Sequence, residues 1–286
     1  MRTQTGTFAG ARGATLHTIR WSPDDESSIR ADVVLAHGYG EHSGRYAPVA
    51  DALSAAGLAV SAMDHRGHGR STGVKKGEVD SFDLLVDDLG RYVDSVATGR
   101  PLFLYGHSMG GLASVRLAER GDSRFSGIVL TGPALATAES IPAPLVALAN
   151  ILGTITPWLP TISLDAAAIS RDEAVRADYD SDPYNFRGKL TARTGREINR
   201  AMVAALGESA NIHAPLLILH GDADRLAEVS GSRRLAAAVG SADVTLREYP
   251  GAYHELHHEP ESTEVLATII DWIGAHLSGT RDASVT

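Results

Sequence analysis

The chain of 286 residues predicts an α/β fold: a mostly parallel central sheet flanked by helices, carrying a helical insertion. Two observations carry that reading. Short apolar strands alternate with amphipathic helices along most of the chain, the pattern of a parallel sheet covered on both faces. That rhythm breaks once, between residues 133 and 210, where helix, proline and loop are mixed without a convincing strand. Residues 1–132 and 211–286 are therefore expected to form one core. Residues 133–210 are expected to form a cap over the C-terminal edge of its sheet, where sites in α/β folds lie.

Taken in order, the first thirty residues hold strand-like pieces such as Ala14-Thr15-Leu16-His17-Thr18-Ile19-Arg20-Trp21, and then a polar turn. Val33-Val34-Leu35-Ala36 is a short buried strand ending in His37-Gly38, followed by a helix over 46–56 that Gly57 closes. A strand over 58–63 comes next. Residues 82–96 place Phe82, Leu85, Val86, Leu89, Val93 and Val96 at helical spacing with acids opposite. Strands over 102–105 and 127–131 enclose a helix over 111–120. After the insertion come a strand over 215–220, a helix over 228–239, a strand over 243–249 and a closing helix over 262–277.

The segment Leu104-Tyr105-Gly106-His107-Ser108-Met109-Gly110-Gly111 places Gly-x-Ser-x-Gly between a strand and a helix. In that context the motif reads as a nucleophile elbow, which lifts a serine hydroxyl clear of the sheet. Side chains at Gly106 and Gly110 would collide with the neighbouring strand and helix. A serine hydroxyl needs a histidine to take its proton and a carboxylate to hold that histidine's tautomer. On folds with this elbow the acid and then the base follow in chain order. Leu219-His220-Gly221-Asp222-Ala223-Asp224-Arg225 offers two acids after a late strand, and the residue pattern chooses neither. Tyr249-Pro250-Gly251-Ala252-Tyr253-His254 offers the histidine after the last strand. The oxyanion hole needs two backbone N–H donors. Met109 follows the nucleophile and supplies one, and Tyr39 in His37-Gly38-Tyr39-Gly40 supplies the second.

Composition excludes several alternatives. Formal net charge is −9, which gives a nucleic-acid role no electrostatic support. There are no cysteines, hence no disulfide framework, thiolate nucleophile or Cys-based zinc site. His254-Glu255-Leu256-His257-His258 spells H-E-x-x-H, but it follows a strand and Pro250-Gly251 rather than lying within a helix, so no metal is expected. No other cofactor is expected. Residues 1–8 lack the apolar core of a signal peptide, so a cytoplasmic protein is expected. The greasiest stretch, 141–160, is interrupted by Gly153, Thr154 and Thr156 and bracketed by prolines. It reads as a short apolar helix that covers a pocket or rests on a lipid surface.

These pieces together resemble the monoacylglycerol lipase family of serine hydrolases, its bacterial members in particular. The matching segments are His37-Gly38-Tyr39-Gly40-Glu41-His42-Ser43-Gly44-Arg45-Tyr46, Asp64-His65-Arg66-Gly67-His68-Gly69-Arg70-Ser71, Gly106 to Gly111, Asp222-Ala223-Asp224-Arg225 and Gly251-Ala252-Tyr253-His254-Glu255-Leu256-His257. The resemblance implies the α/β-hydrolase fold, a triad of Ser108, Asp224 and His254, and cleavage of monoacylglycerol into glycerol and a fatty acid. It also implies contacts to the glycerol head group from Glu41, Arg45, His257 and, in Tyr179-Asp180-Ser181-Asp182-Pro183, Tyr179. Glu41 and Arg45 have a second reading, as an ion pair that stiffens the oxyanion loop. The chain departs from the family at Tyr39, where a smaller residue is common; a backbone donor survives that change. The rival readings are a lysophospholipase or general carboxylesterase on the same scaffold, and a ligand-binding protein that has lost turnover.

Overall fold

A computed structural model describes residues 1–136 and 151–278. Eight strands form one sheet: β1 (Arg2–Ala9), β2 (Thr15–Ser22), β3 (Ala31–Ala36), β4 (Leu58–Met63), β5 (Leu102–His107), β6 (Gly127–Thr131), β7 (Leu216–Gly221) and β8 (Val244–Tyr249). Their order is β1-β2-β4-β3-β5-β6-β7-β8. The hairpin β1–β2 and its junction with β4 are antiparallel, and every pairing from β4 to β8 is parallel. The sheet is therefore mostly parallel, as its buried runs of Val, Leu and Ile require.

Helices cover both faces. Alternate residues of each strand point to opposite sides. On one face Val34, Leu104, Ile128 and Ile218 pack beneath α2 (Phe82–Val96), α3 (Met109–Ala118), α5 (Ala192–Glu208) and α6 (Val229–Ala238). On the other, Val33, Phe103, Val129 and Leu217 pack beneath α1 (Ala47–Ala55) and α7 (Ser262–Ser278). The amphipathic reading of α2 holds for Phe82, Leu85, Val86, Leu89 and Val93, which are buried, whereas Val96 is only half-buried and one acid, Asp88, is buried on ion pairs with Arg66 and Arg91. Helix α3 begins two residues earlier than its spacing predicts. The chain turns from strand to helix within Ser108 itself, so Met109 is already its first residue.

Between β6 and β7 the described part of the insertion holds a helical stretch from 151 to 155, α4 (Glu173–Ser181) and α5. No strand is assigned there among the described residues; an isolated bridge joins Pro160 to Thr191. The insertion is tied to the core at defined points. Phe186 N donates to Gly40 O at 2.8 Å, and Tyr179 Oη donates to the same carbonyl at 3.2 Å. Asp182 sits 2.8 Å from His42 Nε2, and Thr194 Oγ1 accepts from Val79 N at 3.0 Å. Among the described residues no helix is long and apolar enough to cross a membrane. Of the apolar run over 141–160, residues 141–150 lie outside the described residues. The part within them leaves Ile151, Ile155, Trp158 and Leu159 exposed, Trp158 by 71%.

Candidate active site

Strand β5 delivers Ser108 at its end in a backbone conformation that side chains rarely adopt (φ 53°, ψ −117°). Outside glycine, such a positive φ stores strain and is held only where packing over-determines it. The packing is visible at the flanking glycines. A Cβ on Gly106 would lie 2.4 Å from Ser114 Oγ, and one on Gly110 only 2.0 Å from Ala36 O. The first turn of α3 is thereby pressed against the exit of β3.

Three side chains from separate elements meet here. Ser108 Oγ lies 2.8 Å from His254 Nε2, and His254 Nδ1 donates to Asp224 Oδ2 at 2.6 Å. Because Nδ1 faces a carboxylate, it carries the proton and leaves Nε2 free to accept from the serine hydroxyl. Asp224 Oδ1 accepts from the amides of Leu226 and Ala227 at 2.8 and 3.0 Å. Of the two acids that the residue pattern left open, Asp222 faces away: its Oδ1 accepts from Gly251 N at 2.6 Å. Burial disfavours the charged form of both partners, yet their mutual attraction prevails. It holds Asp224 below the usual carboxylate range and lifts His254 above 6.5. His107, packed 4.8 Å from the His254 ring, goes the other way; burial pushes it down to about 3 and it stays neutral.

The loop after β3 lies directly over the serine. A Cβ on Gly38 would sit 2.8 Å from Glu41 Oε1 and 3.2 Å from Ser108 Cβ, so the missing side chain gives this backbone room beside the serine. The Tyr39 amide follows it, and the Met109 amide opens α3, where N–H groups have no partner within the helix. The Tyr39 side chain leaves the site, its hydroxyl donating to Gly77 O at 2.7 Å.

Glu41 and Arg45 are brought together in a closed network. Glu41 Oε1 accepts from Gly38 N at 2.6 Å and Tyr46 Oη at 2.7 Å, and its Oε2 accepts from Arg45 Nη1 at 2.7 Å. Arg45 also grips Glu255 with two bonds of 2.6 and 2.8 Å, and its guanidinium lies over the Tyr179 ring. Burial opposes the charge on Glu255, but the Arg45 guanidinium holds its carboxyl well below the usual range. His257 stacks on Tyr46 at 4.7 Å between ring centroids, and both its ring nitrogens are buried with no hydrogen-bond partner among the described residues. Burial depresses its basicity strongly. The H-E-x-x-H spelling has no zinc-protease geometry, since both ring nitrogens of His254 are engaged by Asp224 and Ser108. Ligand atoms of Glu255, His257 and His258 do lie within 4.8 Å of one another, but Arg45 already engages both oxygens of that carboxylate.

Two contacts escaped the sequence pattern. Glu255 stood in H-E-x-x-H and in the segment shared with the family, with no sign that Arg45, 210 positions earlier, would claim it. His220 sits 3.2 Å from Asp224 Oδ2, and its one signal is a polar side chain closing an otherwise apolar strand.

A family profile described as serine aminopeptidase, S33, matches residues 27–261. Monoacylglycerol lipase from Mycolicibacterium smegmatis is 43% identical over 273 residues, covering 94% of this chain and 96% of that one. The chain belongs to the monoacylglycerol lipase family. Its α/β-hydrolase fold is shared with the crystal structure of Paleococcus ferrophilus monoacylglycerol lipase, at 35% identity and a TM-score of 0.81, covering 96% and 100% of the two chains. A soluble variant of monoglyceride lipase from Saccharomyces cerevisiae, solved in complex with a substrate analog, is 27% identical with a TM-score of 0.84 over 96% and 94% of the chains. Members of the monoacylglycerol lipase family are serine hydrolases acting on carboxylic esters, and this chain is an enzyme of that class.

Proposed function

We propose that this enzyme hydrolyses monoacylglycerols to glycerol and a free fatty acid through an acyl-enzyme on Ser108. The single observation behind this reading is the continuous line Ser108–His254–Asp224 in a chain 43% identical to a monoacylglycerol lipase. Ser108 Oγ attacks the ester carbonyl as His254 Nε2 takes its proton. The amides of Tyr39 and Met109 hold the resulting oxyanion, and Asp224 stabilises the imidazolium. The intermediate collapses by breaking the bond to the glycerol oxygen, which leaves with the proton from His254. Water then gives a proton to His254 and attacks the acyl carbonyl, and Ser108 departs reprotonated with release of the fatty acid. No metal or cofactor enters these steps.

Residues 133–210 act as the cap over the acyl chain. The glycerol head group is met on the side of Glu41, Arg45, Tyr179 and His257. Within that set the unpartnered nitrogens of His257 are the groups ready for a hydroxyl, whereas Glu41 and Arg45 chiefly hold the loop. The exposed Ile151, Ile155, Trp158 and Ile162 form an apolar surface suited to transient contact with the lipid phase in which the substrate dissolves.

A substrate panel tests the assignment. Mono-, di- and trioleoylglycerol, lysophosphatidylcholine and an amino-acid anilide are compared by kcat/KM. Monooleoylglycerol is expected to lead by about tenfold or more, since a cap and polar head-group subsite discriminate by at least ~1.4 kcal/mol. A lead for the lysophospholipid or the anilide would replace the substrate class and leave the serine chemistry in place.

A further inference from the structure

Asp224 faces two histidines, and only His254 takes part in the proposed reaction. The other, His220, is the penultimate residue of β7 and points to the sheet face shared with Leu216 and Ile218, beneath α6. It is wholly buried, as is Ser232 of α6. His220 Nε2 lies 2.9 Å from Ala227 O and 3.2 Å from Asp224 Oδ2. A carbonyl and a carboxylate only accept, so Nε2 carries the hydrogen, directed at Ala227 O. In the neutral ring Nδ1 then accepts from Ser232 Oγ at 2.7 Å. Residue 227 closes the loop, for its amide donates to Asp224 Oδ1 at 3.0 Å. His220 thus touches the acid by two routes: directly beside Oδ2, and through residue 227, whose carbonyl faces His220 while its N–H grips Oδ1.

Resting on the triad proposed above, we infer that His220, seated by Ser232, is a positioning residue for the reaction. It orients the Asp224 carboxylate so that Oδ2 meets His254 Nδ1, and sets how strongly that oxygen attracts the His254 proton. No proton passes through His220. Its N–H dipole shares Oδ2 with His254, and without it the carboxylate has more negative charge to offer the imidazolium. The other titratable groups facing His254 are His107, Glu255 and Glu41, and Glu248, the cross-strand neighbour of His220, is engaged by Arg233 at 2.6 Å.

The test compares His220→Leu, His220→Gln and Ser232→Ala on a soluble short-chain ester, with folding checked by thermal melts. Outer partners that orient metal ligands cost about 10–100-fold when removed, and by analogy His220→Leu is expected to lose about that much in kcat with KM nearly unchanged. The acidic limb of its pH–rate profile is expected to move to higher pH, a change that lost packing alone would not produce. Glutamine keeps a donor and an acceptor at similar reach, so His220→Gln is expected to recover most of both losses. Should His220→Leu fail to fold, Ser232→Ala carries the test with a smaller shift of the limb in the same direction. An unmoved limb in the folded variants, or a glutamine variant as impaired as the leucine one, overturns the inference. Ser108→Ala, run alongside, separates the failures: its inactivity upholds the triad whatever His220 does, and its retained turnover removes the triad and this inference together.

Discussion

Two buried clusters of charged and polar side chains adjoin at residues 254 and 255, and they are wired differently. The line from Asp224 through His254 ends at a half-buried hydroxyl, so one of its hydrogen bonds is available to be exchanged for a bond to substrate. The network of Glu41, Arg45 and Glu255 closes on itself, each carboxylate oxygen taken by a buried partner. Adjacent residues therefore serve opposite ends. His254 must change protonation state during each turnover, whereas Glu255 keeps its charge so that the oxyanion loop keeps its shape. A buried charge can be part of an enzyme's chemistry or of its scaffold, and the open or closed state of its hydrogen bonds tells which.

That contrast can be broken from either side. The largest effect is expected for Ser108→Ala, which should lower kcat by roughly a millionfold and leave only what the oxyanion amides and binding contribute. Asp224→Asn should cost about 10⁴-fold in kcat by presenting the wrong partner to His254 Nδ1, while the melting curve stays near the wild type. Both losses are read by steady-state kinetics on a soluble ester. Arg45→Met should invert the pattern. It strands Glu41 and Glu255 without their cation, and breaking a buried pair costs about 3–5 kcal/mol, read as a lower urea midpoint. A stable Arg45→Met protein with abolished turnover would mean that the closed network belongs to the chemistry.

Smaller effects sharpen the same division. His254 accepts the serine proton only when neutral, and its neighbour Asp224 lifts its pKa above 6.5. Asp224 stays ionised throughout, so log kcat/KM should fall as the pH drops through a single ionisation above 6.5. An acidic limb below that value would remove the attraction of Asp224 from the account. The smallest effect belongs to the apolar surface. Trp158→Ser should weaken binding to phosphatidylcholine vesicles by about tenfold, in line with the ~1.5 kcal/mol of one less buried apolar side chain, without altering turnover of a soluble ester.

How much of this was legible in the sequence depends on distance along the chain. The elbow could be read because its constraints are local: a strand, two glycines that tolerate no Cβ, and a helix. The order of nucleophile, acid and base followed from topology, since β5, β7 and the loop after β8 end at one edge of the sheet. The choice between Asp222 and Asp224 was not local. It turns on which carboxylate the 221–227 loop directs inward, and there Asp222 is spent on the Gly251 amide. Arg45 with Glu255 and His220 with Ser232 were out of reach for a related reason. Each joins side chains on different elements whose spacing in sequence carries no period. The antiparallel β1 was hidden too, because its Thr-rich residues are almost all exposed and lack the apolar alternation that marks a half-buried strand.

The central claim is that Ser108 carries the acyl chain of a monoacylglycerol between the two halves of the reaction. Rapid acid quenching during turnover of monooleoylglycerol, followed by peptide mass spectrometry, reads it directly. The account predicts one oleoyl group on the peptide containing Ser108, absent when Ser108→Ala protein is treated alike. Turnover without any acylated peptide, or acylation at another residue, would contradict it.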